Sequence, residues 1–378
     1  MKWALSILFL CLCSFQYKGD FYEAKWALFM SVSAIYFSCH VTKRLHWSVF
    51  PVTVYTLLST VWTGMWGYNQ FATLLSPPTL AYISLQSVLA CVYFASFVGF
   101  AAFTHIKTLR KLPFVIGVFS VVSSVYFLVD KVMGYGKPDS LQAGFLENIT
   151  MNNSMVMITA PFIFFVTNHP KKWLLFLLPL ATLLCSSITG DKGVWLVALV
   201  VLSSWLYFTE MKRYLLLLPT LMASILGCLW LMGTNIFGIF SSGDRIVKHL
   251  GFLRYYWDND WIYFGSGQGS FSTLSSIKTF TDNPQAKSAE LWLWAHSDFL
   301  QVLLEQGLVG FSLVCLFLYH LFSKIIKKQD AILLSSLLGY CALAVVYFPV
   351  HWPVEAFIGV TLVSLSFRLK EKVYVESV

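Results

Sequence analysis

His296, Ser297, Asp298, Glu305, Gly307 and Gly310 fall in one fifteen-residue stretch, with the pattern H-S-x-x-L-x-x-x-x-E-x-G-x-x-G. An imidazole titrates near pH 6.5, so a histidine heading such a stretch can take a proton from an attacking hydroxyl. Arg245 and Arg254, upstream, can each hold an anionic oxygen pair as a bidentate fork, and Lys192 can add a point charge. Gly190 and Gly193 flank that lysine and would let backbone approach a bound anion. If residues 296–305 formed one helix, His296 and Glu305 would lie about 900° apart and face opposite sides. Glu305 therefore reads as structural, holding the helix end near Gly307, while Asp298 or another loop would orient the imidazole. No His, Asp and Glu cluster has the spacing of metal ligands, so no metal or other cofactor is expected.

The elements that must position these residues follow from composition. Of 378 residues, 57% are hydrophobic and 12% charged, which excludes both a soluble globular fold and a disordered chain. Apolar runs near the length needed to cross a bilayer alternate with short charged loops. They predict an all-α polytopic integral membrane protein, one membrane domain over 1–378, with about twelve spans. The spans lie near 3–17, 26–42, 47–68, 80–104, 112–130, 154–168, 173–189, 193–209, 214–232, 305–322, 331–349 and 353–368. The first, behind Lys2, also has the outline of a signal peptide but lacks a small-residue cleavage site. Counting charges on alternate loops puts sixteen Lys and Arg with four Asp and Glu on one side, against ten with fourteen on the other. The positive side is cytoplasmic, so both termini face inward. A long loop over 233–295, between spans nine and ten, then faces outward, with a smaller outer loop over 131–153. The net charge of +8 is spread over short loops, which argues against nucleic acid as a partner. The eight cysteines lie in apolar runs and form no disulfide or metal framework.

The His296–Gly310 pattern, at the outer end of a span, resembles the signature of the bacterial O-antigen ligase and O-antigen polymerase superfamily. Two further segments extend the resemblance. Ser187-Ile188-Thr189-Gly190-Asp191-Lys192-Gly193 is similar to that family's tight outer turn, with Lys192 where arginine is usual. Ser241-Ser242-Gly243-Asp244-Arg245, followed by Phe264-Gly265-Ser266-Gly267-Gln268-Gly269-Ser270-Phe271, resembles the start of its large periplasmic loop and a later glycine turn. The resemblance covers about residues 154–322.

It implies a GT-C-like helical bundle in the bacterial inner membrane with its active site on the periplasmic side. The implied reaction moves a glycan from an undecaprenyl-pyrophosphate carrier to a hydroxyl acceptor, without a metal. His296 would be the general base, and Arg245, Lys192 or Arg254 would bind pyrophosphate. Glu305, Gly307, Gly310 and Asp298 would support the site. The acceptor would be lipid A core for a ligase, a second lipid-linked glycan for a polymerase, or a protein hydroxyl for an O-oligosaccharyltransferase; membrane lipid is a further partner. A flippase for lipid-linked oligosaccharide is the alternative from another class, although charges at span ends and the absence of matching halves weigh against it. Plainer readings stand beside these. His296 fits an interfacial helix-start histidine, Lys192 a solvated hairpin tip, and Arg245 an ordinary loop cation in competition with Arg254 and Lys248. Trp257, Trp261, Trp292 and Trp294 could stack on sugars or sit in an interfacial belt. Asn148-Ile149-Thr150 and Asn152-Asn153-Ser154 fit an N-glycosylation pattern, and His351 and Glu355 are secondary candidates near the last outer turn.

Overall fold

The helix Ala331–Val346 packs against Lys192–Phe208, Asp298–Lys327, Pro353–Arg368 and Ile149–Thr159, and so stands at the centre of the described bundle. The computed structural model describes residues 55, 58, 106–133, 149–162, 182–183, 192–208, 243–267, 270–271, 274–275, 278, 295–347, 349–351 and 353–368. In chain order its helices are α1 (Ile106–Met133), α2 (Ile149–Thr159), α3 (Lys192–Phe208), α4 (Gly243–Asp258), α5 (Asp298–Lys327), α6 (Ala331–Val346) and α7 (Pro353–Arg368). Short 3₁₀ turns follow α2 at Ala160–Phe162 and precede α7 at Pro349–His351. The described residues are all helical, with no strand among them. The expected spans at 3–17, 26–42, 47–68, 80–104, 173–189 and 214–232 lie wholly or almost wholly outside them.

Helix α5 runs for 30 residues in two parts joined by a kink at Gly307, and the part after the kink, about 30 Å long, can cross a bilayer. Among the described residues it is the one helix long and apolar enough to cross a membrane. Its ends are set by local chemistry. Ser297 caps the start, its Oγ accepting the Leu300 N–H at 3.3 Å. Asp298 in the first turn and Lys324 and Lys327 in the last suit the helix dipole. The connection to α6 is closed by Asp330, whose Oδ1 accepts the Leu333 N–H at 3.1 Å. Its other oxygen pairs with Arg110 of α1. Close by, Lys324 Nζ donates to the Phe367 carbonyl of α7 at 2.6 Å. These contacts lie at the end of α5 opposite His296.

The main core joins all of these helices except α4. Met151, Met155 and Ile158 of α2, Val194 and Val197 of α3, Leu337 and Leu343 of α6, and Ile358 and Leu362 of α7 are all buried in it. Gly339 of α6 lies directly against Val201 of α3, and only a residue without a side chain allows that approach. Between α1 and α2 the packing is polar. Asn152 Nδ2 donates to the Ser120 carbonyl at 2.8 Å, and Ser124 Oγ donates to Asn153 Oδ1 at 2.6 Å. A second core, formed by Phe252, Tyr256, Phe271, Leu274, Ala295 and Leu304, belongs to the long segment before α5.

Two expectations change. The smaller outer loop over 131–153 is shorter than its composition suggests, because α1 continues to Met133 and α2 begins at Ile149. Asn152 is a buried α2 residue, so the glycosylation pattern there is closed to a modifying enzyme.

Candidate functional site

His296 stands outside α5, not within it. Its backbone has φ 52°, in the left-handed region, and Ser297 follows in an extended conformation before the helix begins at Asp298. The geometry of one helix over 296–305 is thereby corrected. Serine's hydroxyl at the cap competes with further helical winding, and histidine tolerates the left-handed region better than most residues. A non-glycine residue held there is a recurrent feature of functional sites.

Several hydrogen bonds pin this turn from both sides. Behind it, the Ala295 N–H donates to Gln301 Oε1 at 3.3 Å, folding the chain back on the helix. The Ala295 carbonyl meets His249 Nε2 of α4 at 2.8 Å. Ahead of it, the Asp298 N–H donates to the Tyr347 carbonyl at 3.0 Å, and Asp298 Oδ2 accepts the Val350 N–H at 3.0 Å. Ser297 Oγ donates to the Ala344 carbonyl at 3.4 Å. His296, half-buried, therefore sits between α4 and the α6–α7 connection. The carboxylate of Asp298 holds that connection through Val350.

Glu305 and Gly307 build a second junction. Gly307, at φ 67° and ψ −172°, breaks the helical path inside α5. The amides and carbonyls freed by that kink are taken up by residues 261–267. Leu308 N–H donates to the Ile262 carbonyl at 2.8 Å and Val309 N–H to the Tyr263 carbonyl at 3.2 Å. In return, Ser266 N–H donates to the Leu304 carbonyl at 3.2 Å and Gly267 N–H to the Glu305 carbonyl at 2.8 Å. Tyr55 Oη donates to the Gln306 carbonyl at 3.0 Å. The Glu305 side chain, 1% exposed, accepts the Phe271 N–H at 3.3 Å and Gln301 Nε2 at 3.0 Å through Oε1. Its described partners are thus a loop amide and a neighbouring side chain. Ser266 Oγ donates to Tyr256 Oη at 3.0 Å and also meets Ser270 Oγ. Burial, with the Glu305 carboxylate adding to it, pushes the Tyr256 phenol well above its ordinary value, so it stays neutral.

Glu305→Ala should cost about 1–3 kcal/mol, because it strands the Phe271 N–H and the Gln301 amide in a buried place. Thermal unfolding of the purified protein checks this, with Glu305→Gln, which keeps an acceptor oxygen, expected to lose less.

The cations divide by helix face. On α4, His249, Phe252 and Tyr256 form the stripe that meets the rest of the protein, and Arg245 lies four residues, about one turn, before His249 in the chain. Arg254 lies about 180° round from Arg245. Its side chain is 85% exposed and reaches only Asp258, at 3.7 Å, among its described ion pairs. Lys192 opens α3. Its side chain, like those of Arg245 and His351, lies outside the described residues. Gly310 packs its backbone against Gln306 and the Tyr55 ring. Gly265 and Gly267 have φ of 79° and 103° and form the turn expected there. Trp261 packs edge-on to Tyr255 and Tyr256, a core role, whereas Trp257 is exposed beside Tyr263. Trp292 and Trp294 lie outside the described residues.

His249 and Gln301 were not singled out from sequence. The available signals were helical spacing: His249 is one turn from Arg245, and Gln301 one turn from Glu305. Among the described residues, no group of three or more His, Cys, Asp or Glu is placed to hold a metal ion. Compared with known proteins, the chain matches no protein-family profile and no curated sequence.

Proposed function

We propose that this chain is a polytopic glycosyltransferase of the O-antigen ligase and polymerase kind. In this reading it has about twelve spans in the bacterial inner membrane, both termini in the cytoplasm and its site on the periplasmic face. The donor is a glycan on undecaprenyl pyrophosphate, and the acceptor is lipid A core or a second lipid-linked glycan. The acceptor hydroxyl attacks the anomeric carbon as His296 takes its proton. The bond from that carbon to the pyrophosphate oxygen breaks, and undecaprenyl pyrophosphate leaves with its charge held by Arg245 and Lys192.

One observation carries the reading. The histidine that heads the motif is held in a left-handed turn just before α5, and the carbonyl before it meets His249 of α4, the helix that also carries Arg245. In this reading His296 is the proton acceptor and Arg245, one turn before His249 on α4, is the cation, so the two come from different elements. Glu305 and Gly307 serve them from a distance by locking the outer segment to α5.

The test is transfer by the purified, reconstituted protein from a lipid-pyrophosphate-linked glycan, under chelator, to lipid A core or to a second lipid-linked repeat. Transfer to the core defines a ligase, and chain growth a polymerase. If neither acceptor reacts but the lipid-linked glycan crosses the vesicle membrane, the chain is a flippase and the proposal fails. In the same assay Arg245→Ala is expected to reduce transfer by 10-fold or more, about the loss of one charge-assisted contact of 1.5–3 kcal/mol. Arg254→Ala is expected to change it less than threefold, since an exposed ion pair is worth about 0–1 kcal/mol. Equal losses in both variants would remove the assignment of Arg245.

A further inference from the structure

Helix α4 has two apolar faces. His249, Phe252 and Tyr256 point inward, the first to the Ala295 carbonyl and the other two into the second core. Val247, Leu250, Arg254 and Trp257, spaced three, four and three residues apart, share the opposite face. There Val247, Leu250 and Trp257 are 60–69% exposed. The apolar surface continues past the end of the helix, where the Trp257 ring lies 6.3 Å from that of Tyr263 and Phe264 is 71% exposed. A single exposed apolar side chain is ordinary, but a contiguous group rich in aromatic rings marks a docking surface.

What docks there follows from the attachment of this segment to α5. Beyond the Gly307 kink, α5 has about 30 Å of apolar helix, ending at Lys324, Lys327 and Lys328. Its exposed residues Leu308, Ser312, Cys315, Leu316 and Tyr319 recur at helical spacing and form one continuous face, the side that a membrane span turns to lipid. Leu308 and Val309 begin that face, and their amides donate to the Ile262 and Tyr263 carbonyls at 2.8 and 3.2 Å. Tyr263 and Phe264, with Trp257 beside them, are therefore held at the outer rim of the lipid-facing side of α5. That is the level at which Trp and Tyr rings settle between headgroups and acyl chains. Arg254 shares the face with Asp258 as an exposed ion pair at 3.7 Å, which suits the headgroup layer, where the arginine stem lies along apolar surface.

We propose that the outward face of α4, together with Tyr263 and Phe264, docks on the outer surface of the lipid bilayer, with Leu250 and Trp257 entering the boundary between headgroups and acyl chains. Helix α4 then lies between the membrane and the turn that carries His296, which it meets through His249. This rests on reading α5 as a membrane span and is independent of the transfer reaction.

The test uses the full-length protein in vesicles of radiolabelled phosphatidylethanolamine and phosphatidylglycerol. The photo-crosslinker p-benzoyl-phenylalanine replaces Leu250, Trp257, Phe264 or Tyr319, one at a time. Tyr319, exposed on α5 well below the rim, is the reference for lipid contact. Labelled lipid is expected on the peptides carrying positions 250 and 257, each within about tenfold of the amount at 319. Position 264 takes the place of either one whose protein does not fold. Capture at 319 with less lipid than that at either of the other two, or crosslinks from them to another peptide of this chain or of a second copy, overturns the docking and leaves α5 as a span. Absence of lipid at 319 as well overturns both. Glycan transfer is not measured, so the docking and the transferase reading succeed or fail separately.

Discussion

His296→Ala lowers glycan transfer by about 10²- to 10⁴-fold, the range that a single general base contributes. The loss falls on kcat, with the donor KM little changed, because in this reading Arg245 and Lys192 hold the pyrophosphate and His296 meets only the acceptor hydroxyl. Folding should survive. The imidazole is half-buried and belongs to neither hydrophobic core, and the turn is held by backbone and neighbouring side chains: Ala295 to His249 and Gln301, Asp298 to Tyr347 and Val350. Alanine at φ 52° adds strain of about 1 kcal/mol, below what would unfold the site. Added imidazole should restore part of the rate, and a chelator should leave the wild-type rate unchanged. Initial rates across donor concentrations check all of this. Transfer that persists in His296→Ala at more than a tenth of the wild-type rate removes His296 as the base.

The apolar helices were readable because bilayer-length runs end at charges. The runs read at 193–209, 331–349 and 353–368 correspond to α3, α6 and α7 nearly residue for residue. The start of α5 was not, because Gln301, Glu305 and Gln306 make its first turns look like loop, and a span was expected only from 305. Their polar groups are buried against the segment before α5, a tertiary effect that hydropathy cannot express. Helix α4 was hidden for a related reason: its stripe of His249, Phe252 and Tyr256 is short and lies inside a long aromatic-rich loop. At the site, the importance of Gly307 was legible from its place in the motif. Its partners at 261–267 were not, since backbone pairing leaves no trace in side-chain types. The backbone of His296 was not legible: the condition of one helix over 296–305 fails, because the serine cap one residue later starts the helix after it.

Gly307→Ala is expected to detach the outer segment from α5. With φ 67° and ψ −172°, residue 307 occupies a region that only glycine visits freely, and an alanine there carries strain of about 1–3 kcal/mol before any contact is considered. The added methyl would also drive into the Tyr263 carbonyl and the amides of Phe264 and Gly265, all backbone atoms that cannot rotate away. Relief requires either that residues 261–267 lift off or that α5 straightens. Both break the hydrogen bonds from Leu308, Val309, Ser266 and Gly267 that join the segment to the helix. The combined cost should exceed about 3 kcal/mol, and the lost docking should let the exposed turn around Asn259 and Asp260 unfold into a protease site. Gly310→Ala is the milder case only in its backbone, which is helical and needs no positive φ; its methyl would still press on the Gln306 Cβ at 2.3 Å. Limited proteolysis and thermal unfolding of the two variants separate the cases. Gly307→Ala should be cut faster and melt lower than Gly310→Ala, and glycan transfer should fall with it, since α4 and the 261–267 turn belong to the same outer segment. A Gly307→Ala protein as resistant and as stable as wild type would mean that the kink does not hold that segment in place.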